Sequence, residues 1–390
     1  MTSLLARLLP LAFLNFAVGA GAFFIIGLIG PLAADLSLTK VQAGWIMSAY
    51  ALGYAFSSPV LVSLSGGLPR RDVMLAGIGL FICASVASGF AWDAPSLYAA
   101  RAVAAIGAGL VTPVAAAVAA GSTTPEMRGT ALAIVFAGMT LSQLVGVPAG
   151  AFIGYTFGVR AAFLAAAALC AAAALCVMVV TPRNVPFTPN SLRTLGRTLA
   201  RPRDLVAVTL TVTIAASGYV GMTFMGPLAE MRLGMGRDGV ALFLLAAGVG
   251  AFAGNVAGGL LVDRLGPART LFCALAGQAV IAPVMTLVPF GLASGLIIAF
   301  FWNFFGWGFT VPQQARLIAL DPAASGVMLA LHAAGIYLGS GLGAGIAGVV
   351  NQQFGIEATG VVSGAIGVLA LLHLAWSEFL ARRSSSRTSE

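Results

Sequence analysis

Charge is what this sequence holds least of. Asp, Glu, Lys and Arg together make up 8% of its 390 residues, against roughly a quarter in soluble domains. The hydrophobic share is 59% and the mean hydropathy +1.00, more apolar surface than a water-soluble fold can hide. Lysine occurs once, as Lys40, so the GxxxxGKS/T loop of an ATP-driven pump has no place in the chain. Histidine occurs twice, as His332 and His373, too far apart for an HExxH helix, and nothing sets a nucleophile beside a base. Both absences argue against an enzyme. The four cysteines, Cys83, Cys170, Cys176 and Cys273, show no CxxC or other metal spacing and behave as small apolar residues. No metal and no cofactor is expected.

What the chain does hold is long uncharged runs: Leu8 to Ala34, Val73 to Trp92, Ala161 to Pro182 and Thr270 to Gln314. Each matches or exceeds the roughly 20 residues a helix needs to cross a bilayer. Unbroken apolar runs satisfy their own amides as helices, whereas barrel strands alternate. An all-α membrane protein of twelve spans is expected, near 9–33, 43–65, 73–92, 96–118, 130–155, 160–181, 205–229, 239–262, 268–289, 291–314, 324–350 and 358–380. Arg7 before an apolar run with Ala17, Gly19, Ala20 and Ala22 has the outline of a signal peptide. The run continues to Ala34, long enough to span, and the segment is read as an anchor.

Basic residues set the orientation. With the N-terminus cytoplasmic, the inside segments hold fifteen: Arg7, Arg70, Arg71, Arg128, Arg183, Arg193, Arg197, Arg201, Arg203, Arg264, Arg269, Arg316, Arg382, Arg383 and Arg387. The outside loops hold four, Lys40, Arg160, Arg232 and Arg237. Both termini are therefore expected inside, in a plasma membrane, here the bacterial inner membrane. The +8 net charge is a topology signal and an attraction to anionic lipid, not the footprint of nucleic acid.

The tetrapeptide GPLA occurs at residues 30–33 and again at 226–229, and each copy leads through a loop and a span to a basic turn, LSGGLPRR (64–71) or VDRLGPAR (262–269). Between the copies, FTPNSLRTLGRTLARPRD (187–204) is the longest hydrophilic stretch. Residues 1–186 and 205–390 are expected to form two pseudo-symmetric six-helix bundles joined by a cytoplasmic linker, 187–204. Two such halves suit a secondary transporter whose rocking exposes a midplane cavity to one side and then the other.

Gly259-Leu-Leu-Val-Asp263-Arg264-Leu-Gly266, Leu97-x-x-x-Arg101 with Gly107-x-Gly109, and Gly146-Val-Pro148-Ala-Gly150 resemble motifs of the major facilitator superfamily. The chain is similar to that superfamily over essentially its whole length, and to its twelve-span drug:proton antiporter branch in particular. The resemblance implies proton-coupled efflux of a small organic solute by a monomer. Two departures leave an alternative open. Ser65 stands where Asp263 has its counterpart, and the first and fourth spans lack the carboxylate that proton antiporters of this branch often carry. The alternative is an uptake carrier or uniporter for a small metabolite, anionic or not, without proton antiport.

Ionisable groups inside a bilayer are expensive and mark function by default. Arg101 is a candidate for an anionic solute, for coupling, or for pairing with carbonyls and amides such as Gln143. His332 is a candidate coupling site because imidazole titrates near neutrality, with a packing role as the bland reading. Glu230, one stripe with Tyr219 and Thr223, is either a boundary charge or a carboxylate for proton exchange. Tyr50, Tyr54, Tyr219, Trp302 and Asn303 offer aromatic faces and isolated hydrogen-bonding groups to a solute, or pack. Asp263 with Arg264 and Arg269, and Arg70 with Arg71, read as conformational latches. Small residues recur every four positions in spans five (Gly138, Ser142, Gly146, Gly150, Gly154), eight (Gly250, Gly254, Gly258) and eleven (Gly335, Gly339, Gly343). Such ridges permit close helix approach, and the resemblance places them on the sliding seam between bundles, with Pro148 kinking the fifth span.

Overall fold

The computed structural model describes residues 2–386 apart from 26–27, 29–30, 33–34, 39, 184–190, 226–227, 230 and 232–235. Glu230, Arg232, Arg387 and parts of both GPLA copies lie outside the described residues. The described chain is helical, without strands: α1 (Thr2–Phe23), α2 (Lys40–Leu64), α3 (Arg70–Gly89), α4 (Ala94–Gly121), α5 (Arg128–Leu141), α6 (Val147–Phe157) and α7 (Val159–Val180) come first. They are followed by α8 (Leu192–Ala200), α9 (Pro202–Met222), α10 (Gly236–Leu265), α11 (Pro267–Leu287), α12 (Leu292–Gly308), α13 (Thr310–Leu320), α14 (Ser325–Phe354) and α15 (Glu357–Ser386). Among the described residues, eleven helices are long and apolar enough to cross a membrane. The 25-residue α2 is not one of the eleven.

Helix ends follow local chemistry. Asp93 caps α4: its carboxylate accepts from the Ser96 amide at 2.8 Å while the Ser96 hydroxyl meets the Asp93 amide, a capping box. The Ser96 bonds hold the Asp93 carboxyl below its usual range. Gly158 and Gly355, at φ +89° and +85°, turn α6 into α7 and α14 into α15 within a residue or two, a backbone shape that glycine adopts without strain.

The expected fifth span is interrupted. Ser142–Gly146 forms a π turn between α5 and α6, immediately before Pro148. Proline has no N–H to return to a carbonyl one turn earlier, and the wider turn absorbs the defect. The first span also breaks, at a turn on Phe24, and the seventh breaks at Thr223 and Phe224.

Two compact units divide the chain: Met1–Leu195 with Ala323–Ala334, and Gly196–Pro322 with Gly335–Glu390. In the first, α2 and α3 each pack on α4, α3 on α7, and α1 on both α5 and α7. In the second, α10 and α11 each pack on α12, and α15 packs on α9 and α11. The second pattern repeats the first with corresponding helices.

The glycine ridges explain these pairings. A Cβ on Gly138 would strike Ala12, on Gly146 Ala20, on Gly150 Phe24 and on Gly154 Leu28, all on the first span. Gly250, Gly254 and Gly258 face the carbonyls of Phe300, Phe304 and Gly308 on α12. Gly335, Gly339 and Gly343 face Thr211, Val212 and Ala216 on α9. Every ridge, including Gly146 and Gly150 around Pro148, thus receives a helix of its own unit at close approach. The ridges also carry the repeat: Gly146 faces Ala20 and Gly343 faces Ala216, and Ala216 lies 196 positions after Ala20, the offset of the two GPLA copies.

Gly254→Ala is expected to destabilise the protein by roughly 1–3 kcal/mol, as overpacked sites do, because the added methyl runs into the Phe304 carbonyl. Gly345→Ala, where a Cβ meets nothing within 4 Å, is expected to leave the midpoint unchanged. Thermal unfolding of both variants in one detergent reads the difference.

Candidate functional site

Arg101 projects from α4 and is fully buried. Its two terminal nitrogens donate to the carbonyls of Gly21 and Ala22, each at 3.0 Å. Those carbonyls lie in the last turn of α1, beside the turn at Phe24. No water competes for such groups in hydrocarbon, and the guanidinium fork supplies two donors in one plane. The cation also stands 4.8 Å over the Tyr50 ring, a desolvated cation–π contact. Arg101 therefore binds the broken end of the first span. Gln143, its expected amide partner, lies in the π turn with its side-chain nitrogen buried and unpaired.

Tyr50 and Tyr54 are both 1% exposed. Tyr54 lies beside Ser58 and Thr112, and the Ser58 hydroxyl donates to the Gly109 carbonyl at 2.7 Å. Glycine is needed there: a Cβ on Gly109 would meet Ser58, while one on Gly107 would meet Gly77 and Phe81 of α3. Both glycines of the fourth-span motif thus let α4 sit between α2 and α3. The tyrosines take part in the same packing.

The second unit contains a small recess of about 30 Å³ lined by Tyr219, Met222, Trp302, Asn303, Trp307 and Phe309, among others. That volume is about one water's share of liquid. Trp302 lies against Gly221, whose missing side chain makes room for the indole. The Asn303 amide nitrogen donates to the Ala299 carbonyl at 3.4 Å and sits 3.8 Å from the Met225 sulfur. Three residues singled out in the sequence, Tyr219, Trp302 and Asn303, are brought together here. His332 is not among them: it is buried in α14, in the segment that groups with the first unit.

The charged motifs lie at helix ends. Asp263, Arg264 and Arg269 are exposed around Gly266. Arg70 is buried and donates to the Gly66 carbonyl at 3.0 Å. Arg71 donates to the carbonyls of Met178 and Thr181 at 3.4 Å, tying α3 to the end of α7. Asp72 bonds Arg183 at 2.9 Å across the same contact, a pair the sequence pattern did not reveal.

A second missed cluster sits in the second unit. Arg316, expected in a loop, is 5% exposed within α13 and donates to Glu378 at 2.6 Å and Ser377 at 2.7 Å. Its apolar run extends beyond residue 314 into α13, so the arginine enters the packed region and pairs there. Arg203 holds the fully buried Asp204 at 2.7 Å, and Arg201 reaches Asp321 at 3.3 Å. His373 donates from Nε2 to the Val206 carbonyl at 3.0 Å, and its Nδ1 meets the Thr213 hydroxyl at 3.1 Å. One signal was available: acids and arginines both recur beside the apolar runs flanking 200, 320 and 378. Their partners lie on different helices, and a linear pattern does not pair them.

These features define an integral, multi-pass α-helical membrane protein with a repeated helix-packing pattern and a small aromatic recess. The sequence profile of the Major Facilitator Superfamily matches residues 11–328, and the chain belongs to that superfamily of membrane transporters. It is 29% identical over 381 residues to the uncharacterized MFS-type transporter YtbD of Bacillus subtilis (strain 168), covering 96% of each chain. It is 33% identical over 270 residues to a chloramphenicol resistance protein of Streptomyces lividans, covering 67% of this chain and 69% of that one. The fold resembles the crystal structure of the fucose:proton symporter FucP of E. coli, with a TM-score of 0.77, 16% identity and coverage of 95% and 98%.

Arg101→Ala is expected to lower thermal stability together with transport, by about 1–3 kcal/mol for each buried carbonyl left unpaired. Arg101→Lys, a point donor in place of a fork, restores only part of it. An unchanged unfolding midpoint with lost transport would assign the arginine to the solute instead.

Proposed function

We propose that the protein is a secondary active transporter that moves a small organic solute across the plasma membrane by alternating access, as proton-coupled efflux. The observation that carries this reading is the recess of Tyr219, Trp302, Asn303 and Trp307, whose lining holds aromatic faces and one amide but no charged side chain. Such a lining favours an uncharged, amphiphilic, ring-bearing solute. Ligand pockets measure roughly 300–1,000 Å³, so the recess has to widen to admit one, and alternating access supplies that opening. The similarity to a chloramphenicol resistance protein supports both the solute class and the direction.

The accompanying topology is twelve spans, reached by adding α2 to the eleven, with both termini cytoplasmic and bundles over 1–186 and 205–390. The protein acts as a monomer, in a bacterial inner membrane. His332, Glu230 and Arg101 are the coupling candidates. One observation favours the second reading, a uniporter or uptake carrier without proton antiport: Asp72, Asp204 and Glu378, all within spans, are each ion-paired with arginine.

Proteoliposomes separate the two. With radiolabelled chloramphenicol as probe, an imposed pH gradient is expected to drive the solute against the direction of proton flow. Flux indifferent to the gradient would establish the uncoupled reading. Trp307→Ala is expected to raise KM about tenfold, the loss of one aromatic contact, with folding preserved because Trp307 is only half-buried.

A further inference from the structure

α8 is a nine-residue helix, Leu192–Ala200, and the chain re-enters the membrane at Pro202, two residues after it ends. It therefore stands at the bilayer surface on the side where α7 leaves and α9 begins. Thr198 is 1% exposed, so one flank of the helix rests on protein. Leu192 and Leu199, 49% and 41% exposed, lie seven positions apart and so on one line of the helix, about 110° round from Thr198. Arg193 and Arg197, four positions apart and both exposed, form another line, about 130° round from the leucines and about 120° from Thr198. No acidic residue occurs between Arg183 and Asp204. Arg201 and Arg203, by contrast, are engaged with Asp321 and Asp204. Among the described residues no acid pairs with Arg193 or Arg197.

We infer that α8 is a lipid-docking element: Leu192 and Leu199 enter the interfacial layer of the bilayer while Arg193 and Arg197 bind the phosphates of anionic lipid headgroups. A helix with exposed leucines on one face and arginines on another matches a surface that is apolar below and negative above. A short segment fixed beside a span cannot leave that surface, so the ordering cost of docking is already met by the fold. Each arginine near an anionic leaflet contributes roughly a fivefold preference, about twenty-fivefold for the two, and salt screens it. The chemistry specifies phospholipid of net negative charge rather than an acidic protein, because exposed leucines accompany the arginines on a short helix held two residues from a span.

The test uses the full chain in phosphatidylcholine nanodiscs with and without phosphatidylglycerol. A nitroxide at L199C, in a background with Cys83, Cys170, Cys176 and Cys273 replaced by serine, reports collisions with oxygen and with a water-soluble nickel chelate. With phosphatidylglycerol present, oxygen access is expected to exceed nickel access, and R193Q/R197Q or added salt is expected to reverse the order. Equal aqueous access in both lipids overturns the inference. Exclusion of both reagents also overturns it, since protein rather than lipid would then cover the face. Should the cysteine-free background fail to fold, hydrogen exchange of the 192–200 amides in the wild-type chain serves instead. Protection that rises with phosphatidylglycerol, and not in R193Q/R197Q, supports docking; protection insensitive to lipid charge refutes it.

Discussion

In hydrocarbon, helices gain nothing by hiding leucine from lipid, so what holds them together is how closely their backbones approach. Here that approach is set by glycine. The ridges of the fifth span, α10 and α14 each receive a neighbouring helix where a Cβ would collide with main-chain or Cβ atoms. Once these contacts are made, the neighbours' side chains fall into place: Phe24 at Gly150 joins the cluster with Leu97 and Phe163, and Trp302 at Gly221 joins the one around Phe243 and Phe290.

The same constraint explains why Arg101 is needed where it is. Close packing brings α4 within reach of the point where the first span breaks, and a broken helix in lipid exposes carbonyls that no water reaches. A residue able to satisfy two at once converts a defect into a fixed bend. In the second unit, the corresponding region beyond Met222 is packed by the indole of Trp302 and the amide of Asn303, and a small recess remains. The two units thus share one packing pattern and differ in chemistry, one closed around a cation and the other aromatic and slightly open.

Much of the fold was legible in the sequence because apolar length and basic flanks are properties of single segments. The runs from Leu8, Val73 and Ala161 announce helices without knowledge of any partner. The site was less legible. Arg101 was visible as the charge in an apolar run, yet its partners, Gly21 and Ala22, are main-chain groups that any residue provides. Arg316 was read as a cytoplasmic boundary charge, and Glu378 was not singled out, because a linear pattern does not show that the two side chains meet. The glycine rows of spans five, eight and eleven were found, and their close-approach chemistry was right. Which neighbours they meet was not legible, because spacing along one helix does not say which helix fills it. Glu230 lies outside the described residues, so its two readings stand as they were.

The π turn at Ser142–Gly146 has a geometric consequence. Four residues rotate an α-helix about 40° beyond a full circle, so a row repeated every four positions spirals away from a straight neighbour. A single wider turn winds the row back, which is how Gly138, before it, and Gly150, after it, address the same helix. Removing one residue from that turn would swing everything from Val147 to Phe157 by about 100° and present side chains where the first span now meets glycine. The length of this stretch is therefore as constrained as its composition.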